Sequence, residues 1–196
     1  MAIANAKKRF VWYSIGDFGS LNDASVFSDT DFASQLANDE LDIPPSRPLP
    51  NTDIEMPFMF IADEIFALSK HLMKSFSKSG ELTVEEKVFN YRLKRARLCI
   101  ECAFGIIVKK YQILQQKLKF DLTTSHFIVA AIICLHNFLI TSAENNMDDV
   151  NEEVVEGNNQ NEEDQNLRLT PVQQRQLLTA YFSSDAGSVD WQLDYI

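Results

Sequence analysis

The spacing of apolar and polar positions changes period several times along the chain, and each change marks an element. Residues 10–15, Phe-Val-Trp-Tyr-Ser-Ile, have the aromatic and β-branched composition of a strand. The Gly-Asp-Phe-Gly-Ser stretch at 16–20 breaks it, and Asn22 or Asp23 can cap a helix running to about Asn38. Residues 44–57 hold five of the six prolines and read as a loop. Residues 58–62, Phe-Met-Phe-Ile-Ala, form a continuous apolar run, which predicts a second strand buried in a sheet. After a loop at 77–80, Thr83 and Glu86 have the spacing of a capping box. They open a helix that passes through Glu101 to about Leu114, with Gly105 as its point of kinking or breaking. A further helix starts at Thr124 or Ser125 and runs through Leu139; being apolar on nearly every side, it is expected in the core. Helical spacing returns at 169–182, with Pro171 tolerated in the first turn. No internal repeat is visible.

Alternating strand and helix signals of this kind predict an α/β class. A length of 196 residues fits one domain with a tail, and 45% hydrophobic residues with 14 Phe suffice for a sizeable core. Residues 145–166 are dominated by Asn, Glu, Asp and Gln and read as a disordered linker. The resulting division is a domain at 1–142, an acidic disordered linker at 143–168, and a C-terminal helix and tail at 169–196. The longest uninterrupted apolar run, 127–135, is nine residues, so no membrane span is expected. The first nine residues lack a signal-peptide h-region, and three cysteines do not suit a disulfide scaffold.

Charge is distributed unevenly. The net charge is −10, which taken alone disfavours a nucleic-acid partner. Yet residues 67–120 hold twelve Lys and Arg against four acids, a local +8, whereas 143–166 hold nine acids and no base. A basic binding face followed by an acidic tail is the functional reading. A solvated helix beside a solubilising tail is the plain one. The basic residues expected to meet DNA phosphates are Arg92, Lys94, Arg95, Arg97, Lys109 and Lys110.

Two acids stand out in this setting. Asp63 ends the apolar run at 58–62, and Glu101 is the one acid in the basic stretch 89–105, a turn after Arg97. Metal-dependent nucleases hold a pair of cations with carboxylates of this kind, one fixed at a strand end and one reaching from a packed helix. Hard oxygen ligands suit Mg²⁺ or Mn²⁺. Structural roles compete: Asp63 as a turn or cap residue, and Glu101 as the i−4 ion-pair partner of Arg97. Cys99 and Cys102, with Cys134 and His136, offer a weak zinc signal; small buried thiols in a core is the stronger account. His71 and His126 show no partner in the sequence, and no serine has a nucleophile-elbow context.

Five blocks occur in order: 19–27 (GSLNDASVF), 61–63 (IAD), 89–90 (FN), 97–105 (RLCIECAFG) and 135–138 (LHNF). Together they resemble the C-terminal part of the PIF/Harbinger-type DDE transposases and their domesticated nuclease relatives, over roughly residues 10–139. The resemblance implies a partial ribonuclease H-like fold, a truncated sheet with packed helices. It also implies cleavage of DNA by an Asp-Asp-Glu set with a divalent metal, Mg or Mn, in the nucleus. Asp63 matches the second Asp and Glu101 the Glu, as catalytic and metal-ligating residues. Asp23 matches a further family acid outside that set. His136 and Asn137 match a family block for which helix packing or hydrogen bonding is expected rather than catalysis.

The family's first Asp lies on a strand upstream of the one starting at Phe10, and nothing before Phe10 supplies it; Asp17 does not occupy the matching position. The family's N-terminal DNA-binding helices are also missing. The chain is therefore expected to be a truncated element or an incomplete gene model, weakly active or inactive alone. The second class of function is a non-catalytic DNA-binding or protein-interaction module, with a protein partner or a homo-oligomer in view.

Overall fold

The computed structural model describes residues 1–17, 21–77, 79–145 and 169–196. Most of the acidic segment expected as a linker, and Gly19 and Ser20 of the first family block, lie outside the described residues. In chain order the elements are β1 (Ala2–Ala4), β2 (Phe10–Tyr13), α1 (Asp23–Ser28), α2 (Asp31–Ala37), β3 (Arg47–Pro48), β4 (Glu55–Met56), β5 (Phe60–Ile61), β6 (Leu72–Met73), α3 (Val84–Lys110), α4 (Leu122–Asn145) and α5 (Pro171–Phe182). Short 3₁₀ turns at Gln112–Gln115 and Gln192–Tyr195 complete the set. The chain divides into two compact units, one of Asp17–Leu98 with Arg168–Ile196 and Met1, the other of Ala2–Gly16 with Cys99–Leu167. The division falls inside α3.

In the first unit, Asn22 caps α1 by accepting from the Ala24 amide at 2.8 Å. The single helix expected to Asn38 is instead two. Thr30 accepts from the Ala33 amide at 3.1 Å and so starts α2, while the Ser28 hydroxyl donates to the Ser25 carbonyl at 2.8 Å. Hydroxyl side chains that bond nearby backbone groups end one helix and begin the next. The expected loop at 44–57 carries the short antiparallel β3–β4 ladder. β5 and β6 pair in parallel, with Phe60 opposite Leu72 and Ile61 opposite Met73. The strand expected over 58–62 is thus only two residues long, and Phe58 and Ile61 are exposed rather than buried in a sheet. The capping box forms as expected: the Glu86 amide donates to Thr83 Oγ1 at 3.2 Å, and the Thr83 amide donates to Glu86 Oε2 at 2.9 Å. Thr170 and Gln173 make the same box at the start of α5. Met56, Met73, Phe89, Leu93 and Leu178 form the core of this unit.

In the second unit, β1 and β2 pair antiparallel around a turn in which the Lys8 amide donates to the Asn5 carbonyl at 2.9 Å. The α3 residues Ala103 and Ile107 pack with Phe10 and with Ile132 and Ile133 of α4. α3 continues through Gly105 without interruption. α4 begins two residues before its expected start because Asp121 captures its first turn, accepting from the Thr124 amide at 2.9 Å and the Thr124 hydroxyl at 2.6 Å. These bonds hold the Asp121 carboxyl below its ordinary value, the Thr124 hydroxyl first among the causes.

α4 departs from expectation in two ways. Only one side of it is core: Ile132, Ile133 and His136 are buried, whereas Phe127 (71% exposed), Leu135 and Phe138 (67% exposed) are not. Its 24 residues are also long and apolar enough, by length and composition, to cross a membrane. Uncharged Ser, Thr, His and Asn break its apolar runs without adding charge, so the nine-residue run at 127–135 understates the helix. Among the described residues the strands form three separate two-stranded ladders. Mixed helix and strand agrees with an α/β chain; the larger sheet of a ribonuclease H-like fold is not assembled in these ladders.

Candidate functional site

Asp63 follows the end of β5, whose pairing continues as the Ala62 amide donates to the Met73 carbonyl at 2.8 Å. Open parallel sheets bind their ligands beyond the carboxyl ends of strands, so this is a place where a carboxylate can be presented. The Asp63 side chain is 52% exposed, and Arg97 Nη1 donates to its Oδ1 at 3.1 Å. The same oxygen accepts from the Glu64 amide at 2.8 Å, which turns the chain away from the strand. Nearby, Lys74 Nζ donates to the Glu64 carbonyl at 2.9 Å. His71 also has partners here: Nδ1 meets the Phe58 carbonyl at 2.8 Å, and Nε2 lies 3.6 Å from Asp39, which also pairs with Lys70.

Glu101 belongs to the part of α3 assigned to the second unit, and it is exposed, as is Cys102. The divalent metal implied by the resemblance requires several converging hard donors. Among the described residues no group of three or more His, Cys, Asp or Glu side chains gathers. Asp63 itself has a guanidinium against its Oδ1, an engagement that competes with a cation for the same lone pairs. Asp63 with its guanidinium partner does not by itself make a two-metal centre.

The six basic residues on α3 fare differently from one another. Lys94 is exposed, as are Lys109 and Lys110 in the last turn, whose charges also suit the helix C-terminus. Arg97 is committed to Asp63. Arg92 and Arg95 meet the C-terminal segment instead. The Arg92 guanidinium lies 4.7 Å from the Phe182 ring centroid and donates to Gln192 Oε1 at 3.1 Å and to the Gly187 carbonyl at 3.3 Å. The Arg95 guanidinium sits 4.1 Å over the Trp191 ring. Tyr91 stacks on Tyr195 at 5.3 Å with the rings 2° from parallel. The sequence reading did not single out Trp191 and Tyr195. The available signal was an acidic, aromatic segment in a chain with a basic, aromatic helix face.

The His-Asn pair at 136–137 is structural, as expected. His136, 2% exposed, places Nε2 2.8 Å from the Lys8 carbonyl. Asn137 brackets β2: its Oδ1 accepts from the Phe10 amide at 2.9 Å, and its Nδ2 donates to the Phe10 carbonyl at 2.8 Å. Asn90 does the same to Phe76, at 2.7 and 3.0 Å. Both asparagines stand in for a neighbouring strand, supplying one donor and one acceptor to a residue with no ladder partner on that side. The cysteines correct an expectation: all three are free thiols, but Cys102 and Cys134 are exposed, not core residues.

These features describe an α/β chain with an acid beyond a parallel strand and a basic helix beside it. Comparison with known families is more specific. The DDE superfamily endonuclease model matches residues 1–137, and the chain belongs to that family. No curated protein and no solved structure gives a significant match. The matched region ends at Asn137, so α5 and the segment after it lie outside it.

Proposed function

We propose that this chain is a DNA-engaging domain of the PIF/Harbinger branch of the DDE endonucleases, acting in the nucleus, with little or no cleavage activity of its own. The observation that carries the reading is the family match over residues 1–137, which includes the strongly basic helix α3. Lys94, Lys109 and Lys110 are exposed and suited to phosphate contacts; Arg92, Arg95 and Arg97 join them when released from their present partners. Phosphate neutralisation of this kind gives affinity that falls steeply with salt. Asp63 and Glu101 are the residues proposed as the family's second Asp and its Glu, and as ligands for Mg²⁺ or Mn²⁺. The low expected activity is supported by the donor count: two cations need several converging carboxylates, and among the described residues no group of three or more such side chains gathers.

The test is direct. The purified chain should shift a labelled duplex at low salt, and Lys109→Ala with Lys110→Ala should weaken that shift and lower the salt slope by about one per lost contact. With Mn²⁺ present, cutting should be absent or weak. Robust cutting abolished by Asp63→Ala would overturn the low-activity proposal, and no binding at low salt would overturn DNA engagement. The second reading is an interaction module without cleavage chemistry, favoured by the engagement of Asp63 by Arg97. Titration with Mg²⁺ or Mn²⁺ separates the two, because only a chain with converging ligands gains thermal stability.

A further inference from the structure

The residues after α5 cross the basic face of α3, and their composition matches what they cross. Residues 183–196 contain three Asp and no Lys or Arg. They begin with a turn at Gly187, where an added Cβ would collide with the Tyr181 carbonyl, so the turn is closed to larger residues. From there the segment meets α3 at positions 91, 92 and 95. Gln192, 5% exposed, is held by the Phe182 carbonyl through its Nε2 at 2.9 Å and takes the Arg92 hydrogen bond on its Oε1. The exposed Arg95 guanidinium lies over the Trp191 ring, and Tyr195 lies flat on Tyr91. Arg92 and Arg95, both expected to contact DNA, are thereby engaged by aromatic faces and amide oxygens.

We infer that residues 183–196 act as an intramolecular competitor for nucleic acid, a strap whose aromatic rings and Gln192 occupy the Arg92–Arg95 face that a DNA backbone would take. The inference rests on the proposed DNA engagement and adds regulation of that site. The contacts are of the kind that exchange for phosphate. An arginine stacked on an aromatic ring keeps its charge and its planar donors, so a phosphate can take it over without any change in protonation. Tyr195 is 64% exposed, so this end of the strap lifts without opening the core. The strap also lies outside the family match, so its effect is separable from the family's own machinery.

The experiment compares the unsubstituted chain with the Trp191→Ala/Tyr195→Ala variant for binding to a fluorescein-labelled duplex at low salt, with circular dichroism as the folding check. The variant should bind about fivefold tighter, the change expected when a competitor that occupies the face most of the time is removed. Saturating duplex should also speed chymotryptic cleavage after Trp191 in the unmodified chain. Should the double variant lose helix content, Tyr195→Ala alone, at an exposed position, carries the same direction of change. Equal or weaker binding by the folded variant would overturn the strap while leaving DNA engagement intact. Absence of binding by both chains would instead overturn the DNA reading and the strap with it.

Discussion

Two asparagines do the work that strand neighbours do elsewhere. Asn137 supplies both an acceptor and a donor to the backbone of Phe10, and Asn90 does so for Phe76. Truncating either leaves an amide and a carbonyl without partners in a half-buried setting. The expected cost is about 1–3 kcal/mol for each group left unsatisfied. Asn137→Ala and Asn90→Ala should therefore each lower the denaturation midpoint clearly, while Asn38→Ala, at an exposed site, should not. Denaturant titration followed by circular dichroism checks this. Both asparagines were legible as members of ordered blocks, and packing or hydrogen bonding was legible for Asn137, but the backbone partner of neither was. A side chain that bonds backbone 127 positions away leaves no mark on local periodicity. Gly16 is a parallel case: its φ of 122° and the His126 ring 2.8 Å from where a Cβ would stand both exclude a side chain.

At the scale of elements, local chemistry read well and tertiary length did not. The Thr83/Glu86 box and the Asn22 cap are set by hydrogen bonds within four residues, so the sequence contains all their causes. The strand at 58–62 shortened to two residues because strand length depends on a partner, and among the described residues β5 pairs with Leu72–Met73 alone. α4 was expected in the core for a related reason: apolar composition says that a face can be buried, not that a neighbour exists to bury it. Asp121 yields a pH prediction at this scale. Its carboxyl is lowered chiefly by the Thr124 hydroxyl, so its contribution is fully present above the ordinary aspartate value of about 4. That contribution is lost as pH falls through the lower folded value. Thr124→Val should flatten this part of the acid-stability profile, measured by thermal melts over a pH series. Thr83→Ala, which breaks one half of the α3 box, should cost about 1 kcal/mol.

At the scale of the whole molecule, the family is more legible in the sequence than the site. Five ordered blocks carried the resemblance, and the family match over residues 1–137 agrees at the level of DDE endonucleases. The fate of the basic residues could not be read the same way, because charge counts do not say which guanidiniums are already taken. Arg97 answers Asp63, and Arg92 and Arg95 answer the strap, whereas the three lysines are exposed and Arg95 is exposed but seated on Trp191. Charge removal should therefore have unequal effects: the lysine changes lower DNA affinity directly, whereas Arg95→Ala should lower it less in the intact chain than in the Trp191→Ala/Tyr195→Ala background. A double-mutant cycle on duplex affinity measures that difference. The bare face of α4 bears on how any of these melts is recorded. Phe127, Leu135 and Phe138 already present the greasy surface that environment-sensitive dyes seek, so such a dye will fluoresce on the native protein. A dye-based thermal scan would begin bright and could register warming as a loss of signal, whereas helix ellipticity reports unfolding with the right sign.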